Sequence, residues 1–121
     1  RELSQLSGGQ RQRVFIAMAL AQNTKILFLD EPTTYLDIRY QLDILRLVKK
    51  LNREYGITIV MVLHEINQAI HFSDEVIGLK DGKVLVQGDP KDVITTESIS
   101  ELYDVHLNVA DIDGQKFVLT V

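Results

Sequence analysis

The sequence predicts an α/β fold built on parallel strands, and three observations carry that prediction. An uninterrupted apolar run, residues 26–29, and a second run, residues 57–63, apolar but for Thr58, read as buried strands. Helical periodicity fills the stretch between them. Each run stops at residues with chemistry to offer, Asp30-Glu31 after the first and His64-Glu65 after the second. Strand, helix, strand over this span is a βαβ unit, so the two strands should lie parallel with a right-handed crossover. Asp30, Glu31 and His64 then share the carboxyl edge of the sheet, where open α/β folds place their ligands.

Taken in order, the chain enters through a short polar stretch, residues 1–6. Ser7 is a good helix N-cap, and Gly8-Gly9 lets successive backbone amides turn toward one point. Residues 10–21 read as a helix, with Val14, Ala17, Met18 and Ala21 at i, i+3, i+4 and i+7. Arg11 and Arg13 stand near its start, an unfavourable place for cations unless an anion docks on the free amides there. By itself, Ser-Gly-Gly more often marks a turn capping an ordinary helix. After a loop at residues 23–25, the first apolar run is expected to be buried on both faces, as parallel strands are. Adjacent carboxylates at the end of such a strand are costly unless a cation or proton compensates them. The alternative is a solvated loop in which both face water. Pro32 ends the strand and opens a turn through Thr33-Thr34-Tyr35-Leu36-Asp37.

Asp37 is placed to cap a helix over residues 39–55, whose apolar stripe is Ile44, Leu47, Val48, Leu51 and Tyr55. Lys49, Lys50 and Arg53 complement its C-terminal dipole, and Gly56 is the expected residue just past its end. A lone histidine such as His64 is more often a packed or exposed residue than a ligand; its place beside a carboxylate pair favours function. A short helix follows over residues 65–72, with Ile66, Ala69 and Ile70 inward. Residues 75–79 and 83–87 flank Lys80-Asp81-Gly82, a strong hairpin signal. Asp89-Pro90 should cap and start a short helix over residues 91–94. Ser98-x-x-Glu101 resembles a capping box opening the last helix. The tail, residues 105–121, is broken by Asp113-Gly114 and reads as a second small hairpin.

With 121 residues, 45% hydrophobic and 25% charged, the chain suits one globular domain with a real core. A net charge of −4 argues against non-specific nucleic-acid binding, which needs a basic face. There is no cysteine, which excludes a disulfide framework and thiolate chemistry. No apolar run approaches the length of a membrane span, and no signal-peptide pattern is visible. The chain opens at Arg1, and the expectation is of a piece of a longer protein.

Four features now stand in fixed order: Leu6-Ser7-Gly8-Gly9-Gln10, the run from Ile26 to Glu31, Leu36-Asp37 and His64. In that order and spacing they resemble the ATP-binding cassette (ABC) ATPases. The first matches the family signature without a substitution. Ile26-Leu27-Phe28-Leu29-Asp30 resembles the Walker B strand, with Glu31 at the catalytic position. Thr34-Tyr35-Leu36-Asp37 resembles the D-loop, and His64 the switch histidine. The resemblance covers nearly the whole chain. It implies a truncated P-loop NTPase fold, with parallel strands and helices, a C-terminal antiparallel hairpin and the phosphate-loop strand missing. Residues 1–22 would end a helical subdomain, 23–104 would form the core and its hairpin, and 105–121 the tail hairpin.

The resemblance also implies roles. Asp30 would help hold Mg2+, Glu31 would act as general base, and His64 would contact the γ-phosphate of ATP. Ser7, Gly8, Gly9 and Gln10 would hold the γ-phosphate of ATP bound to a second, head-to-tail ATPase subunit. Asp37 would reach toward that partner's phosphate loop. Closure of the two subunits would drive integral-membrane permease subunits at the cytoplasmic face of the cell membrane, with a periplasmic or surface substrate-binding protein acting indirectly and no nucleic acid involved. Thr33-Thr34-Tyr35-Leu36-Asp37-Ile38, Val62-Leu63-His64-Glu65-Ile66-Asn67-Gln68-Ala69 and Leu79-Lys80-Asp81-Gly82-Lys83 resemble the importers for iron–siderophore complexes, haem and cobalamin. Those have aspartate where Glu65 stands, a change that keeps the charge.

The 121 residues contain no G-x-x-x-x-G-K-[ST] loop, so the chain alone is expected neither to bind ATP tightly nor to hydrolyse it. The strand ending at His64 would also have an unpaired apolar edge, which invites association or repacking. Two other readings stay open. One is a soluble cassette ATPase of DNA repair or translation, disfavoured by the acidic charge and the importer-like stretches. The other is a non-catalytic interaction module, disfavoured by Glu31 and His64 meeting at one strand edge.

Overall fold

Strand β1 (Ile26–Asp30) and strand β2 (Thr58–Val62) pair in parallel, with Ile26 opposite Thr58 and Asp30 opposite Val62. Helix α1 (Ile38–Tyr55) connects them, as the βαβ pattern requires. The computed structural model describes residues 25–120 together with Val14, Ala17 and Ala21. Those three residues have helical backbone, in keeping with their spacing. The remainder of the helix expected over residues 10–21, and the signature residues Ser7, Gly8, Gly9 and Gln10, lie outside the described residues.

The chain divides into two compact units between His64 and Glu65. In the first, Leu27 and Leu29 of β1 and Ile57 ahead of β2 meet Ile44, Val48 and Leu51 of α1 in one buried cluster. These α1 positions recur at helical spacing, so one stripe faces the sheet. The helix ends at Gly56, whose φ of 66° is the left-handed turn that a side chain disfavours. Asn52 reinforces the exit, its Nδ2 donating to the Ile57 carbonyl at 2.8 Å.

Three expectations need correction here. The strands are buried on one face only among the described residues: Ile26 and Phe28 of β1 and Val60 and Val62 of β2 are exposed, Phe28 by 60%. A single helix layer covers one face of a two-stranded sheet, and an apolar run does not reveal what covers the other. Tyr55, assigned to the apolar stripe, is exposed because it lies a turn beyond Leu51, past the end of the cluster. Asp37 occupies the N-cap with extended backbone, but its side chain makes no capping hydrogen bond.

The second unit begins with α2 (Ile66–Phe72), whose N-cap Glu65 accepts from the Gln68 amide at 2.6 Å. Strands β3 (Val76–Lys80) and β4 (Lys83–Gly88) form the expected hairpin, turning through Asp81 and Gly82 with φ of 52° and 76°. Pro90 opens the short α3 (Pro90–Val93), capped by Asp89, which accepts from the Lys91 amide at 2.9 Å. The capping box of α4 (Thr96–Tyr103) lies one turn earlier than expected. Thr95 and Ser98 form it, each side chain accepting from the other's backbone N–H at 3.0 Å. Sequence favoured Ser98 and Glu101 because glutamate is the commoner third-position partner. Strands β5 (Asn108–Ile112) and β6 (Gln115–Leu119) make the tail hairpin, turning at Asp113-Gly114. Ile70, Ile94, Ile99 and Val118 form this unit's core.

Candidate functional site

The parallel register brings the carboxyl ends of β1 and β2 level. The Glu31 amide donates to the Val62 carbonyl at 2.9 Å, carrying the ladder one residue past the strand. Glu31 then turns sharply, with φ of 52°. A left-handed backbone costs a residue with a Cβ about 1–2 kcal/mol, and such strain persists where the surroundings over-determine it. Here the following Pro32 and Thr33 are buried, and the Thr34 amide returns to the Glu31 carbonyl at 3.2 Å.

That turn lets the Glu31 carboxylate meet the imidazole of His64, Oε1 to Nε2. The ring N–H donates and the carboxylate accepts, whether the imidazole is neutral or protonated. Side-chain exposures of 76% for His64 and 37% for Glu31 leave both open to solvent and ligand. Asp30 precedes them, exposed and in line with Ile26 and Phe28 on the strand face turned away from α1. Both carboxylates thus stand at a solvent-facing edge, the alternative that the sequence left open.

Asp37 is not drawn into this pair. It sits across the turn, exposed, and among the described residues no hydrogen bond or ion pair engages its carboxylate. An unused aspartate cap forgoes about 1 kcal/mol. The turn is secured otherwise: the Leu36 amide donates to the Thr33 carbonyl at 3.3 Å, and Gln41 Nε2 donates to the Leu36 carbonyl at 2.8 Å. Tyr35 between them has φ of 66° and is fully exposed. Sequence reasoning singled out Tyr35-Leu36-Asp37 but missed Gln41. A glutamine one turn into a helix carries no signal by itself, because its partner is a carbonyl.

The arrangement offers a carboxylate base beside an imidazole donor, with a second carboxylate at the strand end. Among the described residues no three His, Cys, Asp or Glu side chains gather into a metal cage. A single exposed carboxylate nevertheless fits Mg2+, which takes one or two protein carboxylates and draws its other ligands from water and phosphate.

A parallel βαβ unit with acid and histidine at its carboxyl edge, continued by hairpins and short helices, is part of the P-loop NTPase fold of ABC ATPases. Over 88–90% of its length the chain is homologous to ABC transporter ATP-binding proteins. The family described as ABC transporter matches residues 1–34. The ferric enterobactin transport ATP-binding protein FepC of Escherichia coli (strain K12) is 51% identical over 106 residues, covering 88% of this chain and 39% of that protein. A solved structure described as a metal-chelate type ABC transporter, inward-facing, superposes with a TM-score of 0.84 at 31% identity, covering 98% of this chain and 47% of its own. A dimeric ATP-binding cassette in a post-hydrolysis state, bound to ADP and Pi, superposes with a TM-score of 0.61 at 50% identity, over 71% of this chain and 37% of its own. The chain thus spans about 40% of the length of the curated relatives it matches.

Proposed function

We propose that the chain is the catalytic-edge portion of the ATP-hydrolysing subunit of an ABC importer for iron–siderophore, haem or cobalamin complexes. The observation that carries this reading is the Glu31–His64 contact at the carboxyl ends of two parallel strands. Phosphoryl transfer to water asks the protein for positioning and charge stabilisation above all. Glu31 would take the proton of the attacking water as general base. His64, exposed beside it, would donate a hydrogen bond to the γ-phosphate and help hold that water in line. Asp30 would hold Mg2+ through coordinated water, and the ion would neutralise charge on the phosphates.

Ser7, Gly8, Gly9 and Gln10 would serve a second ATP. Their hydroxyl, amides and side-chain donors suit a γ-phosphate held by a partner subunit in a head-to-tail pair, and Asp37 would reach toward that partner's phosphate loop. Support comes from the unbonded state of Asp37 and from the dimeric cassette with ADP and Pi among the similar structures. The pair would work on integral-membrane permease subunits from the cytoplasmic face of the membrane, with a substrate-binding protein delivering the cargo. A ferric enterobactin transport protein among the relatives supports the iron–siderophore class.

Both ATP sites need a phosphate loop, and the 121 residues contain none. The chain by itself should therefore bind ATP only weakly and hydrolyse none. Calorimetric titration with ATP and Mg2+ tests this: heats too small to fit are expected, and micromolar binding would overturn it. For a pair of full-length subunits that carry the loop, the expected result is Mg2+-dependent ATP hydrolysis that falls on replacing Glu31 or His64.

A further inference from the structure

The start of α1 is built in an unusual way. Asp37 has the extended backbone of an N-cap, φ −62° and ψ 155°, and aspartate is among the best capping residues, yet its carboxylate makes no capping hydrogen bond. Gln41 secures the turn from inside the helix. Its backbone N–H donates to the Asp37 carbonyl at 2.9 Å, and its side-chain Nε2 donates to the Leu36 carbonyl at 2.8 Å. One residue thus grips two successive carbonyls. The Leu36 amide is held in turn by Thr33, and the Leu36 side chain packs against the buried cluster of the first unit. The peptide between Leu36 and Asp37 is fixed on both sides, while the Asp37 carboxylate stays exposed and without a partner among the described residues.

We infer that Gln41 is a positioning residue for Asp37: with the carboxylate not used as a cap, Gln41 fixes the turn through the Leu36 carbonyl and so presents the Asp37 carboxylate to donors outside the chain. The inference rests on the proposed role of Asp37 toward a partner subunit's phosphate loop, and it adds a residue that touches neither nucleotide nor partner. Had Asp37 capped its own helix, its oxygens would be committed to the α1 amides and unavailable to a partner. A turn that loses the side-chain grip lets the carboxylate wander, and misplacement by about an ångström at a reacting site costs up to roughly 100-fold in rate.

The test is a double-mutant cycle on ATP hydrolysis by the assembled subunit pair, using Gln41→Leu and Asp37→Ala singly and together. Gln41→Glu serves as a second variant of the same length that keeps helix propensity but, ionised, donates no hydrogen bond. Each Gln41 variant should lower kcat roughly tenfold or more with KM for ATP little changed. In the Asp37→Ala background, Gln41→Leu should add nothing, because Gln41 acts through Asp37. Backbone amide exchange at Leu36 and at residue 41, whose amides donate to the Thr33 and Asp37 carbonyls, should quicken in both Gln41 variants while exchange in β1 and β2 stays slow. Unchanged kcat in the Gln41 variants, or losses that multiply in the double mutant, would overturn the inference and leave the Asp37 reading standing. Wild-type kcat in Asp37→Ala alone would instead remove the role of Asp37, and the inference with it.

Discussion

Glu31 and His64 stand 33 residues apart in sequence and touch through Oε1 and Nε2, because parallel pairing of β1 and β2 brings their carboxyl ends level. The contact leaves both side chains open to solvent, as the role proposed for them requires. In the assembled ATPase, His64→Ala should lower kcat roughly 100-fold, the order expected for loss of a positioning donor, with ATP affinity little changed. His64→Gln keeps an N–H donor of similar reach and should retain more activity than the alanine variant. Steady-state kinetics on the two variants check this, and equal loss in both would argue that the imidazole does more than donate.

Asn67 of α2 grips β6 as a strand would. Its Oδ1 accepts from the Val118 amide at 2.8 Å, and its Nδ2 donates to the Val118 carbonyl at 3.1 Å. His71, one turn on, donates from Nε2 to the Lys116 carbonyl at 3.0 Å and meets Phe117 edge to face. Asn67→Ala leaves both Val118 backbone groups unpaired in a half-buried place, at a cost of about 1–3 kcal/mol. Urea unfolding should show that loss as a lower midpoint with an unchanged slope.

The Thr95–Ser98 capping box predicts a smaller effect. Thr95→Ala removes the acceptor for the Ser98 amide and should cost about 1 kcal/mol. Ser98→Ala should cost at least as much, because the Ser98 hydroxyl also donates to the Val93 carbonyl at 2.7 Å. By contrast Glu101→Ala should leave stability unchanged to within about 0.5 kcal/mol, the usual range for an exposed surface site.

Alkaline pH should weaken the second unit. The hydrogen bond from Lys80 to Asp104, at 2.6 Å, holds the Lys80 ammonium above its ordinary value of 10.5, against an opposing desolvation effect. Burial pushes the Tyr103 phenol above its ordinary 10.0, with the charge of Glu65 adding to the shift. Both groups therefore bind their protons more tightly when folded. Their contribution is complete below the unfolded values and is lost as pH rises through the raised ones, so stability should fall above about pH 10. Urea midpoints across that range check the direction, and the double variant Lys80→Met, Tyr103→Phe should flatten the decline.

Much of this was legible in the sequence, for reasons that differ from place to place. Gly56, Asp81-Gly82 and Asp113-Gly114 announced their turns because positive φ selects for such residues. The parallel pairing followed from the length of the connection, and with it the meeting of Glu31 and His64. What was misread turns on coverage and rotamer. Apolar runs at Ile26 and Phe28 told of hydrophobicity, whereas burial depends on which faces receive a layer. Asp37 had the composition and backbone of a cap, but whether the side chain caps depends on the rotamer it takes, which no sequence pattern specifies. The left-handed backbone at Glu31 had no sequence signal, since glutamate has no preference for it.

The central claim is that Glu31 is the base of an ATP-hydrolysing site. Glu31→Gln keeps the size of the side chain and its place on the turn while removing the carboxylate's basicity. Measured as single-turnover ATP hydrolysis by the assembled subunit pair, with ATP binding followed in parallel, this variant should bind ATP as the wild type does and hydrolyse it roughly 100- to 10,000-fold more slowly. Hydrolysis at the wild-type rate with binding intact would contradict the account.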